Sequence, residues 1–124
     1  MRFVTTRTHG VIDYVIGVVL ILAPWLLGFA NGGAAQWVTV ALGAILIVYS
    51  LFTNYELGLM RSIPMPTHLV LDAVGGIVLV ISPWLFGFAH IVWLPHVLIG
   101  LLEIVMSFVT ERVPGARATA GGLP

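Results

Sequence analysis

The sequence contains the same polar pair twice, at helical spacing. His9 and Asp13 are four residues apart, and His68 and Asp72 have the same spacing. On a helix this spacing places both side chains on one face, one turn apart. Imidazole and carboxylate groups can exchange protons, bind divalent metal ions or hydrogen-bond one another. Together with Glu103, a fifth ionisable group, they form the candidate polar cluster of the chain.

The composition predicts an integral membrane protein. Of the 124 residues, 60% are hydrophobic and 8% are charged, whereas a soluble domain carries about 25% charged residues. The mean hydropathy of +1.11 agrees with this class. Five arginines, no lysine and a net charge of zero exclude a nucleic-acid binder with a basic face. The absence of cysteine excludes a disulfide framework and a thiolate metal site.

Four apolar stretches have roughly the length needed to cross a bilayer. The links after the first and third stretches are very short, so each pair predicts an antiparallel hairpin. The stretches cover residues 9–29, 34–53, 68–88 and 91–110. The predicted fold is all-α, with four transmembrane helices built from two duplicated helical hairpins that have the same membrane orientation.

Charged and aromatic residues indicate one orientation. All the arginines lie before the first stretch, between the second and third, or after the fourth, at positions 2, 7, 61, 112 and 117. Because positive charge is retained on the cytoplasmic side, both termini and the central link are predicted to be cytoplasmic. Trp25, Trp37, Trp84 and Trp93 lie near the opposite ends of the stretches, where an interfacial aromatic belt is expected. The predicted location is the inner (plasma) membrane, with several passes.

An internal repeat underlies the hairpins. Residues 8–30 read THGVIDYVIGVVLILAPWLLGFA and residues 67–89 read THLVLDAVGGIVLVISPWLFGFA, with 14 of 23 positions identical. The second helices align more weakly at an offset of 57, where Gly43 matches Gly100 and Thr53 matches Thr110.

The repeat predicts a division of the chain into five segments. They are a cytoplasmic N-terminus (1–7), a first repeat (8–56), a cytoplasmic linker (57–66), a second repeat (67–111) and a flexible cytoplasmic tail (112–124).

Other residues have predicted structural roles. Gly17 and Gly76 continue the His/Asp faces of the first and third helices, and their small size predicts close packing against a neighbouring helix. Thr8 and Thr67 are candidate helix N-caps. His90 and His96 have no repeat partners and are predicted to lie at the outer interface.

The tripeptides Ala23-Pro24-Trp25 and Ser82-Pro83-Trp84 occupy matching positions in the two copies. Proline ends or kinks a helix, and Ser82 can hydrogen-bond a carbonyl that the proline leaves free. This motif near the outer end of the first helix of a duplicated hairpin resembles the SPW-repeat family of small bacterial membrane proteins. The first copy departs from the pattern at Ala23. The resemblance implies a membrane location and a helical fold, and it supplies no catalytic residues.

Three interpretations of the polar cluster remain open: a structural link between the hairpins, a proton or ion relay, and a divalent metal site. The leading prediction is a structural or accessory membrane subunit that contacts the lipid bilayer and packs against itself or a larger complex, without nucleic acid. The alternative is a minimal proton or metal-ion carrier or channel that acts as an oligomer.

Enzyme activity is not predicted. The sequence has no phosphate-binding loop, nucleophile elbow or His-Glu-x-x-His motif, and no cofactor, resident metal or catalytic residue is assigned. A membrane metalloenzyme built on the polar cluster is the remaining alternative.

The arginine distribution gives a testable topology. Reporter fusions at Arg61 and after Pro124 are expected to report the cytoplasm, and a fusion at Gly32 is expected to report the outside. A cytoplasmic signal at Gly32 would contradict the assigned spans.

Overall fold

A computed structural model describes residues 1–115, and within them the chain forms a bundle of four helices. The helices are α1 (Thr6–Leu26), α2 (Ala34–Leu51), α3 (Met65–Leu85) and α4 (Leu94–Val109). The predicted all-α class with four helices is confirmed. Arg117 and most of the predicted tail 112–124 lie outside the described residues.

Both odd-numbered helices begin earlier than the sequence pattern indicated. The N-cap of α1 is Thr5, whose extended backbone precedes the first turn and whose hydroxyl accepts a hydrogen bond from the Thr8 amide at 3.1 Å. The predicted cap at Thr8 is therefore wrong, because Thr8 already lies in the first turn. Likewise α3 starts directly after Pro64, so Thr67 lies inside the helix and does not cap it.

The C-terminal ends of α1 and α3 have the same geometry. Pro24 and Pro83 each lie within the last turn, two residues before the helix ends. The chain then turns at Gly28 and Gly87, whose φ angles are +80° and +74°. Glycine adopts this left-handed backbone without the steric cost that a Cβ imposes.

Ser82 compensates for the hydrogen bond that Pro83 cannot donate. Its hydroxyl donates to the Leu79 carbonyl at 2.8 Å, which is the carbonyl that a backbone amide at position 83 would have bonded. Ala23 has no hydroxyl with which to do the same in α1.

Close glycine contacts build each hairpin. A Cβ at Gly43 would lie 2.6 Å from the Gly17 carbonyl oxygen, so α1 and α2 approach almost backbone to backbone. A Cβ at Gly100 would lie at the same 2.6 Å from the Gly76 carbonyl oxygen, between α3 and α4. Small residues permit such packing in lipid, where apolar burial does not drive helices together.

The middle of the bundle is apolar. Its buried residues form one cluster, Ile16, Leu20, Leu46 and Leu79, with contributions from α1, α2 and α3. A second apolar cluster lies near the turns that follow α1 and α3 and includes Phe29, Ala35 and Phe88.

At the end of the bundle where α1 and α3 begin, short backbone contacts join the two hairpins. The segment before α1 contacts the end of α4, and the segment before α3 contacts the end of α2. Val4 forms a parallel bridge with Thr110 after α4, and Ile63 forms one with Thr53 after α2. Arg2 adds hydrogen bonds from Nη1 to the carbonyls of Ser107 and Thr110, both at 2.8 Å. Both chain segments that carry these contacts therefore lie at the same end of the bundle.

The outward surface suits a bilayer. The helices α1, α2 and α3 are long and apolar enough to cross a membrane, and α4 is a shorter apolar helix of 16 residues. Large apolar side chains such as Val15, Val70 and Phe108 face outward with more than half of their surface exposed. Contact with lipid removes these side chains from water, which is favourable for apolar surface.

Neighbouring glycines test the packing of α3 on α4. Gly76→Ala would place its Cβ 2.6 Å from the Gly100 carbonyl oxygen, and such overpacking typically costs about 1–3 kcal/mol. Gly75→Ala meets nothing within 4 Å and is expected to leave stability unchanged or to raise it, since alanine is the better helix former. Thermal unfolding of both variants in detergent measures the difference. Equal melting temperatures for the two would contradict the close contact.

Candidate functional site

Four buried side chains from both hairpins meet near the end of the bundle that carries Arg2. The structure brings together His9 and Asp13 of α1 with His68 and Asp72 of α3, which we call the His–Asp ring. Each of the four side chains is at most 1% exposed. Their one-turn spacing on each helix makes this possible, because all four lie on the faces that α1 and α3 turn toward each other.

Imidazole and carboxylate groups alternate around the ring. His9 Nε2 lies 2.6 Å from Asp72 Oδ2 and 2.9 Å from Asp13 Oδ2. His68 Nε2 lies 2.7 Å from Asp13 Oδ2 and 3.2 Å from Asp72 Oδ2. In both cases the shorter contact joins different helices. The ring therefore connects the two hairpins more closely than it connects neighbours on one helix.

Two threonines fix the opposite edge of each imidazole. Thr110 Oγ1 donates to the Met106 carbonyl and lies 2.6 Å from His9 Nδ1. Thr53 Oγ1 donates to the Tyr49 carbonyl and lies 2.7 Å from His68 Nδ1. Because each hydroxyl hydrogen is already used, each threonine oxygen accepts and each Nδ1 must donate.

The two carboxylates have unequal surroundings. The Tyr49 hydroxyl donates to Asp72 Oδ1. By contrast, Asp13 Oδ1 is buried and has no hydrogen-bond partner among the described residues. In the repeat alignment Tyr49 corresponds to Met106, which has no hydroxyl to offer.

Glu103 is a further buried acid beside the ring. Its side chain is 4% exposed, and neither carboxyl oxygen has a hydrogen-bond partner among the described residues. It lies close enough to Asp13 and Asp72 to feel their charge. Its repeat counterpart is Leu46, so the polar cluster is asymmetric. The structure thus brings all five residues of the predicted polar cluster into one region, with Glu103 outside the ring itself.

An apolar cavity of about 200 Å³ adjoins this region between α2 and α3. Leucine and valine side chains line most of it, and Tyr49, Asp72 and Glu103 form its polar part. Beyond the helix ends, Tyr55 packs against the ring of His68, with the two centroids 5.5 Å apart. Burial raises the pKa of Tyr55 above its ordinary value, which keeps the phenol neutral.

The family model for the SPW repeat domain matches residues 7–110, which covers most of the chain. The chain belongs to the SPW repeat domain family. Comparisons with curated proteins and with solved structures find no match. The resemblance noted in the sequence is therefore confirmed at the level of the family.

The residues that give the SPW motif its name lie far from the His–Asp ring, at the C-terminal ends of α1 and α3. Trp25 and Trp84 are 59% and 60% exposed, and the Trp84 ring packs at 6.4 Å from that of Trp93. Pro24 and Pro83 are buried inside their helices. In this member of the SPW family the motif lies at the C-terminal ends of α1 and α3 and does not contribute to the polar site.

The sequence predicts His96 at an interface near the link between α3 and α4, and it lies in the first turn of α4. It is completely buried, with Nε2 donating to the Ala35 carbonyl at 3.0 Å and with Phe29 and Phe88 against its ring. The absence of a repeat partner gave no sign of this contact. His90 is exposed at the turn between α3 and α4.

Sequence reasoning did not place three residues in the site. Thr53 and Thr110 were visible as a matched polar pair in the weakly similar second helices, and that match was their only signal. Tyr49 had none, because its repeat counterpart is Met106.

The unpartnered acid gives a stability prediction. Glu103→Leu places in α4 the residue that the first repeat carries at Leu46, and it removes two buried oxygens without partners. Burying such groups costs about 1–3 kcal/mol, so the variant is expected to unfold at a higher temperature. Glu103→Gln, which keeps a buried polar group, is the control and should gain less. A lower melting temperature for Glu103→Leu would show that the carboxyl group has a stabilising partner.

Proposed function

We propose that this SPW-repeat protein is a structural or accessory subunit of a bacterial inner membrane, in which the His–Asp ring joins two duplicated hairpins into one rigid unit. The observation that carries this proposal is the pairing of four buried side chains across the hairpins, with Nε2–Oδ2 distances of 2.6 Å for His9 and Asp72 and 2.7 Å for His68 and Asp13. Both termini and the central linker are assigned to the cytoplasm on the basis of the arginine positions, and α4 is assigned as a fourth span.

Ion pairing within the bundle supports a connecting role because direct helix-on-helix packing between the hairpins is limited. The extensive helix contacts lie within each hairpin, and α2 and α3 share a smaller interface. A polar interaction buried away from water also penalises any arrangement that leaves its groups unpaired. The ring therefore favours one relative position of the two hairpins.

The opposite end of the bundle has a second polar contact between hairpins. His96 on α4 donates to the Ala35 carbonyl at the start of α2. Its ring also lies 5.2 Å from that of Phe29 in the first hairpin. Contacts at both ends resist a rocking motion of one hairpin against the other, which supports a rigid subunit.

The apolar middle of the bundle argues against conduction through one chain. Ile16, Leu20, Leu46 and Leu79 lie between the ring and the layer around His96. A proton or ion would have to cross this layer without polar groups that replace its hydration. The exposed apolar helix faces instead offer surface to lipid, to a second copy or to a larger membrane complex.

A carrier of protons or metal ions that acts as an oligomer is the second candidate. The observation in its favour is Glu103, a buried acid without a hydrogen-bond partner that reaches the cavity between α2 and α3. Buried acids of this kind mark ion and proton paths in membrane proteins.

Substitutions of Asp72 separate the two candidates. In buffer containing a metal chelator, Asp72→Asn is expected to keep most of the stability, because an amide has the size and hydrogen-bonding capacity of the carboxylate. Asp72→Leu should lower the free energy of unfolding by about 1–3 kcal/mol for each polar group left unpaired. Thermal unfolding in detergent gives the comparison, with Asp13→Asn and Asp13→Leu as the matched pair.

Flux measurements on reconstituted protein complete the test. The structural proposal expects no proton or metal-ion flux in liposomes from the wild type or from Asp72→Asn. Flux through the wild type that Asp72→Asn abolishes, with unchanged melting, would replace this proposal with the carrier.

A further inference from the structure

We propose that the His–Asp ring is a binding site for one divalent transition-metal ion of the zinc class, held by Nε2 of His9 and His68 and by Oδ2 of Asp13 and Asp72. This deepens the proposed structural function and rests on it: the metal would be the structural link between the hairpins. It also departs from the sequence-based prediction that no metal is resident.

The orientation of both imidazoles is the first argument. Each Nδ1 donates to a threonine oxygen, Thr110 for His9 and Thr53 for His68. Each Nε2 is thereby aimed into the ring. Metal-bound histidines almost always donate their second ring nitrogen to such a fixed acceptor, which sets the tautomer and the ring orientation.

The convergence of the four atoms is the second argument. Each Nε2 lies within 3.2 Å of both Asp13 Oδ2 and Asp72 Oδ2. Each Nε2 hydrogen-bonds the aspartate of the other helix, His9 to Asp72 and His68 to Asp13, and has the aspartate of its own helix as a second close oxygen. One Nε2 hydrogen cannot serve both oxygens well, since hydrogen bonds favour angles above about 150°. All four ligand atoms lie within 4.8 Å of one another.

Unused buried oxygens are the third argument. Asp13 Oδ1 and both oxygens of Glu103 lack hydrogen-bond partners among the described residues. A divalent cation that displaced the two Nε2 hydrogens would balance the charges of the two ring carboxylates and would give these oxygens a cation to face, which lowers the cost of keeping them in an apolar bundle.

The donor set selects the class of metal. Two imidazole nitrogens and two carboxylate oxygens suit zinc and similar ions, whereas magnesium and calcium prefer oxygen ligands alone. In a tetrahedral zinc site with bonds of 2.0–2.1 Å, neighbouring ligand atoms lie about 3.3 Å apart. The observed contacts of 2.6–3.2 Å require the ring to widen by about 0.5 Å on average to reach that spacing.

Zinc binding by the wild-type protein is the direct test. The protein is purified in detergent without a polyhistidine tag, stripped with chelator and titrated with Zn²⁺. We expect about one equivalent of zinc by mass spectrometry and a melting temperature that rises with Zn²⁺. Mg²⁺ at the same concentration should cause no rise. Wild-type protein that binds no zinc would overturn the proposal.

Variants outside the ligand set locate the metal without removing a ligand. Thr110→Val deletes the acceptor of His9 Nδ1 and is expected to weaken zinc binding about 10–100-fold. Thr110→Ser, which keeps the hydroxyl, should bind like the wild type. His90→Ala removes an exposed histidine and should also leave binding unchanged. Equal zinc affinity in Thr110→Val and the wild type, or lost binding in His90→Ala, would place the zinc elsewhere.

The two proposals fail in different ways. If zinc does not bind but Asp72→Leu still lowers the melting temperature in chelator, the proposed metal site is wrong and the proposed structural role is retained. If zinc binds in the ring but the wild type carries ions in liposomes, the proposed metal site is retained and the proposed structural role is wrong.

Discussion

Two imidazoles and two carboxylates can lie in an apolar bundle only if their charges and hydrogen bonds are satisfied, and this constraint organises the end of the bundle where α1 and α3 begin. Each partner comes from a helix of a different hairpin, so the shortest contacts, His9 with Asp72 and His68 with Asp13, exist only when the hairpins are docked. Removing one partner leaves the others buried and unpaired, at a cost well above the net value of a typical hydrogen bond. The relative position of the two hairpins therefore depends on these four side chains.

The surroundings of the ring follow from the way the repeat is connected. The segment before α1 bridges to the end of α4, and the segment before α3 bridges to the end of α2. These bridges hold Thr110 and Thr53 at the ends of the second helices, where their hydroxyls accept from the histidines. Both threonine–histidine hydrogen bonds therefore cross from one hairpin to the other. Two threonines that are distant in sequence from the histidines thus determine that Nδ1 of each imidazole carries a hydrogen.

Much of this arrangement could be predicted from the sequence, and the exceptions have physical causes. The four-residue spacing of His9 and Asp13, repeated 59 residues later, fixes a shared helix face. Which oxygen pairs with which nitrogen depends on how two separate helices dock, and no local pattern encodes that. Thr8 resembled a cap because it precedes an apolar run, yet Thr5 has the extended backbone that a cap requires. His96 is buried because Phe29 and Phe88 meet around it, a contact between turns that neither hairpin specifies alone.

The two aspartates of the ring have different surroundings. If the second copy repeated the first exactly, it would have tyrosine in place of Met106 and leucine in place of Glu103. Here Asp72 has the Tyr49 hydroxyl, whereas Asp13 has an unused oxygen and both lie near Glu103. Glu103 and Met106 stand in α4 where α2 has Leu46 and Tyr49, so the second helix of the second repeat adds an acid and lacks a donor. Buried acids without donors are costly unless they are protonated or lie near a cation. A divalent ion in the ring would offset that cost for Asp13 and Asp72 directly and would lower it for Glu103 through the field of the ion.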